Sequence, residues 1–180
     1  MKKLALNRAF LMFEKGPLVL LSTKNGDKCN IMPLSWLAVI DFTPRFVICT
    51  GLWNYSCEAL IKSGECVLAV PGVDLLDRSI EAGNVSGRDC DKFKLCGFKK
   101  AKAKFVEAAL VRDCICNVEC KLIEHIEKYD LFILEGIAAW ETDRREKRAI
   151  HAVGDGSFVA DGELFDRRLL MQKIPEWLKR

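Results

Sequence analysis

The stretch Cys114-Ile115-Cys116-Asn117-Val118-Glu119-Cys120-Lys121-Leu122-Ile123-Glu124 sets the fold class. Cys114, Cys116, Val118, Cys120 and Leu122 alternate with Asn117, Glu119 and Lys121, and a period of two places the apolar set on one face of a β-strand. The next run, Leu131 to Trp140, is apolar nearly throughout, the pattern of a strand covered on both faces. Glu127 to Asp130 is short enough to join the two as an antiparallel pair.

Working back toward the N-terminus, Pro17 to Thr23 is apolar and β-prone, and Asn25-Gly26-Asp27 is a turn signal before Cys29 to Pro33, which predicts a hairpin. Trp36 to Ile40 and Phe46 to Thr50 flank the Thr43-Pro44-Arg45 break and read as short strands. A helix is expected from Ser56 to Gly64: Ser56 caps it, Tyr55 and Leu60 form a hydrophobic staple, and Cys57, Leu60 and Ile61 share a face. Glu65 to Val70 reads as a strand ending at Pro71, and Asp74 to Gly83 as a helix with Val73, Leu76 and Ile80 on one side. Many short strands with few helices predict a mainly β fold, a closed or nearly closed β-barrel that removes exposed strand edges. With no repeat and no linker, residues 1–180 are expected to form a single domain.

Half of the 180 residues are apolar, so one full core can form. The net charge of +3 is too small to indicate nucleic acid, though it suits an anionic cofactor. Nine cysteines, an odd number without framework spacing, predict a reducing, cytoplasmic location. Asn7, Arg8 and Glu14 break up the N-terminal apolar stretch, so no secretory leader is expected, and Glu135 interrupts the longest apolar run, so neither is a membrane span. The tail from Leu169 to Leu178 is apolar enough either to join a subunit interface or to pack on its own barrel.

Three segments carry candidate chemistry. Asn30-Ile31-Met32-Pro33-Leu34-Ser35-Trp36 sets an amide, a hydroxyl and an indole at a strand-to-loop junction, where Trp36 is either a core residue or a flat contact for a ring. Asn54-Tyr55-Ser56 opens a helix, whose free amides favour phosphate, although capping by itself accounts for Ser56. Ser86-Gly87-Arg88-Asp89-Cys90-Asp91-Lys92-Phe93 combines a hydroxyl, flexible backbone and two cations, the makings of an anion cradle or of a solvated loop.

Other features carry less. Cys114, Cys116 and Cys120 fall on one strand face, where small buried side chains are expected rather than a metal centre. Gly154-Asp155-Gly156 lacks the strand and helix of a dinucleotide fingerprint and reads as a turn, and Arg144 to Arg148 reads as a solvated loop. His125 and His151 have no evident nucleophile partner.

Taken in order, these segments resemble the flavin reductase-like FMN-binding split-barrel family, which includes flavoredoxins and flavin reductase components. The resemblance spans most of the chain: Gly16-Pro17 and the first hairpin, the Asn30 to Trp36 loop, Asn54 to Ile61, Ser63-Gly64-Glu65 before the strand ending at Pro71, the Ser86 to Phe93 loop, Glu119-Cys120-Lys121, and Tyr129-Asp130-Leu131-Phe132. It implies FMN held by Asn30, Met32, Ser35, Trp36, Thr50, Asn54, Ser56, Ser86, Gly87, Arg88 and Lys92, near the interface of a homodimer. Tyr129 stands where relatives often carry His, so that contact is not carried over. Asn54 stands where relatives often carry a basic residue, which shifts phosphate neutralisation to Lys92 and Arg88.

The resemblance further implies two-electron chemistry with NADH or NADPH as transient donor, for which the cofactor needs no acid-base dyad from the protein. The rivals are a flavoredoxin-type electron carrier served by a redox partner protein, and a flavin-free barrel that binds nucleic acid or another ligand. Neither nucleic acid nor membrane is the expected partner.

Overall fold

The computed structural model of the chain describes residues 1–171 and 173–178. Strand β1 (Lys2–Leu4) and a one-turn helix α1 (Leu6–Ala9) lead to a hairpin of β2 (Val19–Asn25) and β3 (Lys28–Leu34). Gly26 makes its tight turn at φ 58°, as Asn25-Gly26-Asp27 predicts. Next come β4 (Leu37–Val39), β5 (Arg45–Cys49) and α2 (Tyr55–Ser63), which ends at Gly64 in the left-handed conformation. Strand β6 (Glu65–Val70) has the bounds read from the sequence. Helices α3 (Leu76–Asn84) and α4 (Lys92–Leu95) follow, then the short strands β7 (Lys100–Ala101) and β8 (Leu110–Val111). The long pair β9 (Cys116–Ile126) and β10 (Leu131–Glu141) precedes a last hairpin, β11 (Ile150–Ala152) and β12 (Phe158–Ala160), which turns through Gly154-Asp155-Gly156.

The main sheet runs β3-β2-β6-β9-β10-β5-β4, with β1 added beside β10. Strands β3 and β4 are opposite edges, yet Ser35 and Trp36 alone separate them in the chain. Consecutive Cα atoms are 3.8 Å apart, so those of Leu34 and Leu37 lie within about 11 Å, whereas a flat seven-stranded sheet would be about 29 Å wide. The sheet must therefore roll until its edges approach each other at Ser35-Trp36. It stays split there because, among the described residues, β3 and β4 form no ladder. The nearly closed, split barrel expected from the sequence is thus a curled half-barrel with one seam, and the mainly β class with a few flanking helices holds.

The concave side holds the main core, with Val19, Leu21, Leu68, Val118, Phe46, Phe132 and Leu134 all buried. Strand β9 departs from expectation: it begins at Cys116, and Asn117 and Glu119 are as buried as their apolar neighbours. The reason is the segment from 98 to 111, which returns over the convex side of β2, β6 and β9 and packs Phe98, Ala103, Val106, Ala109 and Val111 against it. Asn117 bonds both N–H (2.7 Å) and C=O (3.0 Å) of Val111. Glu119 accepts from the N–H groups of Lys104 (3.1 Å), Phe105 (2.6 Å) and Val106 (3.1 Å) and from Trp140 Nε1 (2.7 Å). Strand β10 reverses the error, since Phe132, Leu134 and Gly136 are buried while Ile133, Glu135 and Ile137 are covered only in part.

Two helix readings also change. Asn54, not Ser56, precedes α2, so Tyr55 is its first residue, the Tyr55–Leu60 staple does not form, and Ile61 is exposed while Cys57, Ala59 and Leu60 are buried. On α3, Ser79 and Ala82 face inward together with Leu75 just before it, and Ile80 faces out. Ser79 fits that face because its hydroxyl donates to Leu75 O at 2.8 Å. In the tail, Trp177 packs edge-on against Phe10 and Phe42 of its own barrel, while Leu169 and Leu170 stay exposed; Gln172 lies outside the described residues.

Candidate functional site

Strand β3, the start of α2 and the loop from Gly83 to Lys92 meet around a cavity of about 270 Å³. Asn30 and Met32 reach it from β3, Asn54 and Ser56 from the entry to α2, and Ser86, Gly87 and Lys92 from the loop. All of these were expected from the sequence. Their order along the chain gives no hint of contact; the hairpin, the helix and the loop have to fold onto one another first.

Lys92 is the cation of this cavity. It is 5% exposed, and its Nζ donates to Ala82 O at 2.7 Å. An ammonium carries three donors, so a single carbonyl leaves it short of partners, and burial pushes its pKa below the usual 10.5. An anion at the cavity would reverse that penalty.

Ser56 is buried in the first turn of α2, and its Oγ accepts from Asn30 Nδ2 at 2.8 Å. Asn30 Oδ1 is buried with no hydrogen-bond partner. Turning the amide by 180° would let Ser56 donate to Oδ1 and leave Nδ2 as a donor at the cavity wall. Asn54 has no side-chain capping bond to α2; its Nδ2 donates instead to Thr50 Oγ1 at 3.1 Å. The positive end of the helix therefore opens on the same space as Lys92.

Gly87 explains how the loop closes so tightly. A Cβ there would overlap Asn30 Oδ1 and come within 2.7 Å of Tyr55 Cδ1. Ser86 shapes the same turn by accepting from the Arg88 N–H at 3.1 Å.

Four expected residues lie outside the cavity lining. Thr50 is buried behind Asn54. Arg88 points outward, with its guanidinium 2.6 Å from Glu58 and over the Tyr55 ring at 5.3 Å; the bond to Glu58 raises its pKa and lowers that of the carboxyl. Ser35 and Trp36 sit at the seam, and Trp36 is 69% exposed, which removes the reading of it as a core residue. Sequence reasoning missed Trp53, which lines the cavity, is 76% exposed and lays its ring over Gly51, where a Cβ would overlap it. The signal was an aromatic residue directly before the helix entry.

The remaining titratable features have local explanations. Cys116 and Cys120 pack inside the barrel, where burial raises their pKa values, that of Cys116 to about 12; Cys114 lies just before β9 in the convex-side cluster. His125 stacks on Phe132, and His151 bonds Asp161 at 2.9 Å and Gly16 O at 3.2 Å. Arg144 pairs with Asp74, and Arg148 with Glu146 at 2.7 Å. Among the described residues no helix is long and apolar enough to cross a membrane.

Comparison with known proteins agrees with this geometry. The profile of the flavin reductase like domain matches residues 12–158. The chain is similar to the solved FMN-binding domain of a flavin reductases-like enzyme from Shewanella baltica, with a TM-score of 0.85 and 28% identity over 92% of this chain and 96% of that one. It shares the fold of flavoredoxin from Desulfovibrio vulgaris, with a TM-score of 0.77 and 23% identity over 84% of this chain and 90% of that one. Among curated sequences it is 27% identical over 176 residues to the uncharacterized protein YddH of Escherichia coli, covering 88% of this chain and 93% of that protein.

Proposed function

Since this chain belongs to the flavin reductase-like domain family, we propose that it binds FMN as a single-domain homodimer and acts as an NAD(P)H-dependent flavin reductase. The observation that carries the reading is the short-partnered Lys92 ammonium, buried beside Ser56 and the entry to α2 in one cavity. That donor set fits a phosphate: the Lys92 cation, the Asn30 Nδ2 amide once the side chain is turned so that Ser56 donates to Oδ1, and a helix N-terminus. Gly87 keeps the loop close enough for the wall to be continuous.

When bound, FMN supplies two-electron redox chemistry, and the protein supplies binding and orientation. Lys92 and Asn30 hold the phosphate end, and Ser56 orients the Asn30 amide. Trp53 lies beside that cavity, and Ser35 and Trp36 at the seam offer a polar edge and a flat apolar surface to the ring. Trp36, Trp53, Leu52, Ile40 and Phe42 are all exposed on the single chain, which favours a second copy covering them. Nine free cysteines fit a reducing, cytoplasmic setting.

The test begins with the absorption spectrum of the purified protein, followed by NADH and NADPH oxidation. A flavin spectrum with nicotinamide turnover supports the reductase. A flavin that dithionite reduces but neither nicotinamide does would make the chain an electron carrier. Colourless protein that takes up no added FMN would refute both. Sedimentation as a monomer with full FMN occupancy would rule out a shared site.

A further inference from the structure

From Lys92 to Arg112 the chain has seven Lys and Arg against one acid, Glu107, a net of +6. The whole chain carries +3, so everything else sums to −3. Three of those cations, Lys100, Lys102 and Lys104, line a groove of about 560 Å³ on the convex side together with Lys24 and Phe105. Glu107, its one acidic wall, is spent on Lys24 at 2.9 Å.

The groove is built on a fixed backbone. Glu119 holds the N–H groups of Lys104, Phe105 and Val106, and Glu65 accepts from the Glu107 N–H at 2.5 Å. Ala103 and Val106 face in, while Lys102, Lys104 and Phe105 are exposed. Lys100, Lys102 and Lys104 stand at alternate positions and all line the groove, a row of three cations. Such a row matches a line of carboxylates, and Phe105 at its end supplies the apolar contact that polar-rimmed protein interfaces use. Nucleic acid fits less well, because the rest of the chain sums to a negative charge and the groove offers one aromatic ring. The row also begins next to the candidate cofactor site: Lys100 pairs with Asp91 at 3.2 Å and lies over the Phe93 ring, on either side of Lys92.

We propose that the Lys100–Phe105 strap is the docking surface for the acidic face of a partner protein that exchanges electrons with the bound flavin. The electron exchange rests on the FMN reading; the docking surface itself does not.

The test uses the purified full chain and fluorescein-labelled poly-L-glutamate as probe, followed by anisotropy. The parent should bind it with an affinity that falls as salt rises, and Lys102→Glu/Lys104→Glu should weaken binding about tenfold or more at low salt. Lys102→Gln/Lys104→Gln should fall between, and decides the matter if the reversal variant does not fold. Unchanged affinity in the folded variants overturns the proposal, as does tighter binding of oligothymidylate than of poly-L-glutamate. Repeating the titration after removal of flavin separates the two readings. Poly-L-glutamate binding by a protein that takes up no FMN supports the docking surface alone, while a flavin-bearing protein that ignores the probe overturns it alone.

Discussion

Replacing Lys92 by Met keeps a long, flexible side chain but removes the ammonium in the cavity wall. Lys92 donates to Ala82 O at 2.7 Å and is otherwise placed to meet an anion. A charge-assisted hydrogen bond to a phosphate contributes about 1.5 to 3 kcal/mol, so the Kd for FMN should rise about 10- to 150-fold. Riboflavin, which has no phosphate, should lose less than about threefold. Titrating flavin-stripped protein with each ligand by flavin fluorescence measures both. The pH dependence adds an independent check. Burial lowers the Lys92 pKa from 10.5, so between the lowered value and 10.5 the unfolded chain binds more protons than the native one. Flavin-free protein should therefore gain stability as pH rises across that window, while FMN affinity falls there because the phosphate favours the charged form. Both slopes should disappear in the Met variant. Equal losses for FMN and riboflavin would refute the phosphate role and leave Lys92 as a brace for the Ala82 carbonyl.

Trp36→Ala should weaken FMN binding by about 1 kcal/mol and shift the flavin spectrum, by removing a flat apolar contact to the ring; unaltered flavin affinity and spectrum in the folded variant would contradict this. Glu119→Ala leaves the N–H groups of Lys104, Phe105 and Val106 and the Trp140 indole without their acceptor, and should cost about 3 kcal/mol or more, a drop of about 6 to 12 °C by calorimetry. Burial alone would raise the pKa of Asp161, but Lys15, the Ala149 N–H and His151 outweigh it and bring the pKa to about 2. Its contribution, about 1 to 2 kcal/mol after screening, should be complete above pH 3.8 and be lost as pH falls through about 2, so Asp161→Asn should destabilise at pH 7 and much less at pH 2.

Local signals were legible wherever the physics is local. The Asn25-Gly26-Asp27 turn, the Gly64 helix end and the bounds of Glu65–Val70 depend on φ preferences and short-range pattern, and the structure has them as read. The resemblance pointed to Asn30, Ser56, Gly87 and Lys92 in separate segments of the chain, and the fold brings them around one cavity. What depended on distant segments was not legible. Asn117 and Glu119 alternate with apolar neighbours as solvent-facing residues do, yet both are buried, since the segment from 98 to 111 covers them and supplies backbone partners that a period-two pattern cannot announce. Ser56 and Arg88 show the same limit: one gave up the cap to bond Asn30 across the hairpin, the other turned to Glu58. The seam at Ser35-Trp36 follows only once the strand order is known, because a two-residue link between neighbouring strands is ordinary, and between the two edges of a seven-stranded sheet it forces the sheet to roll.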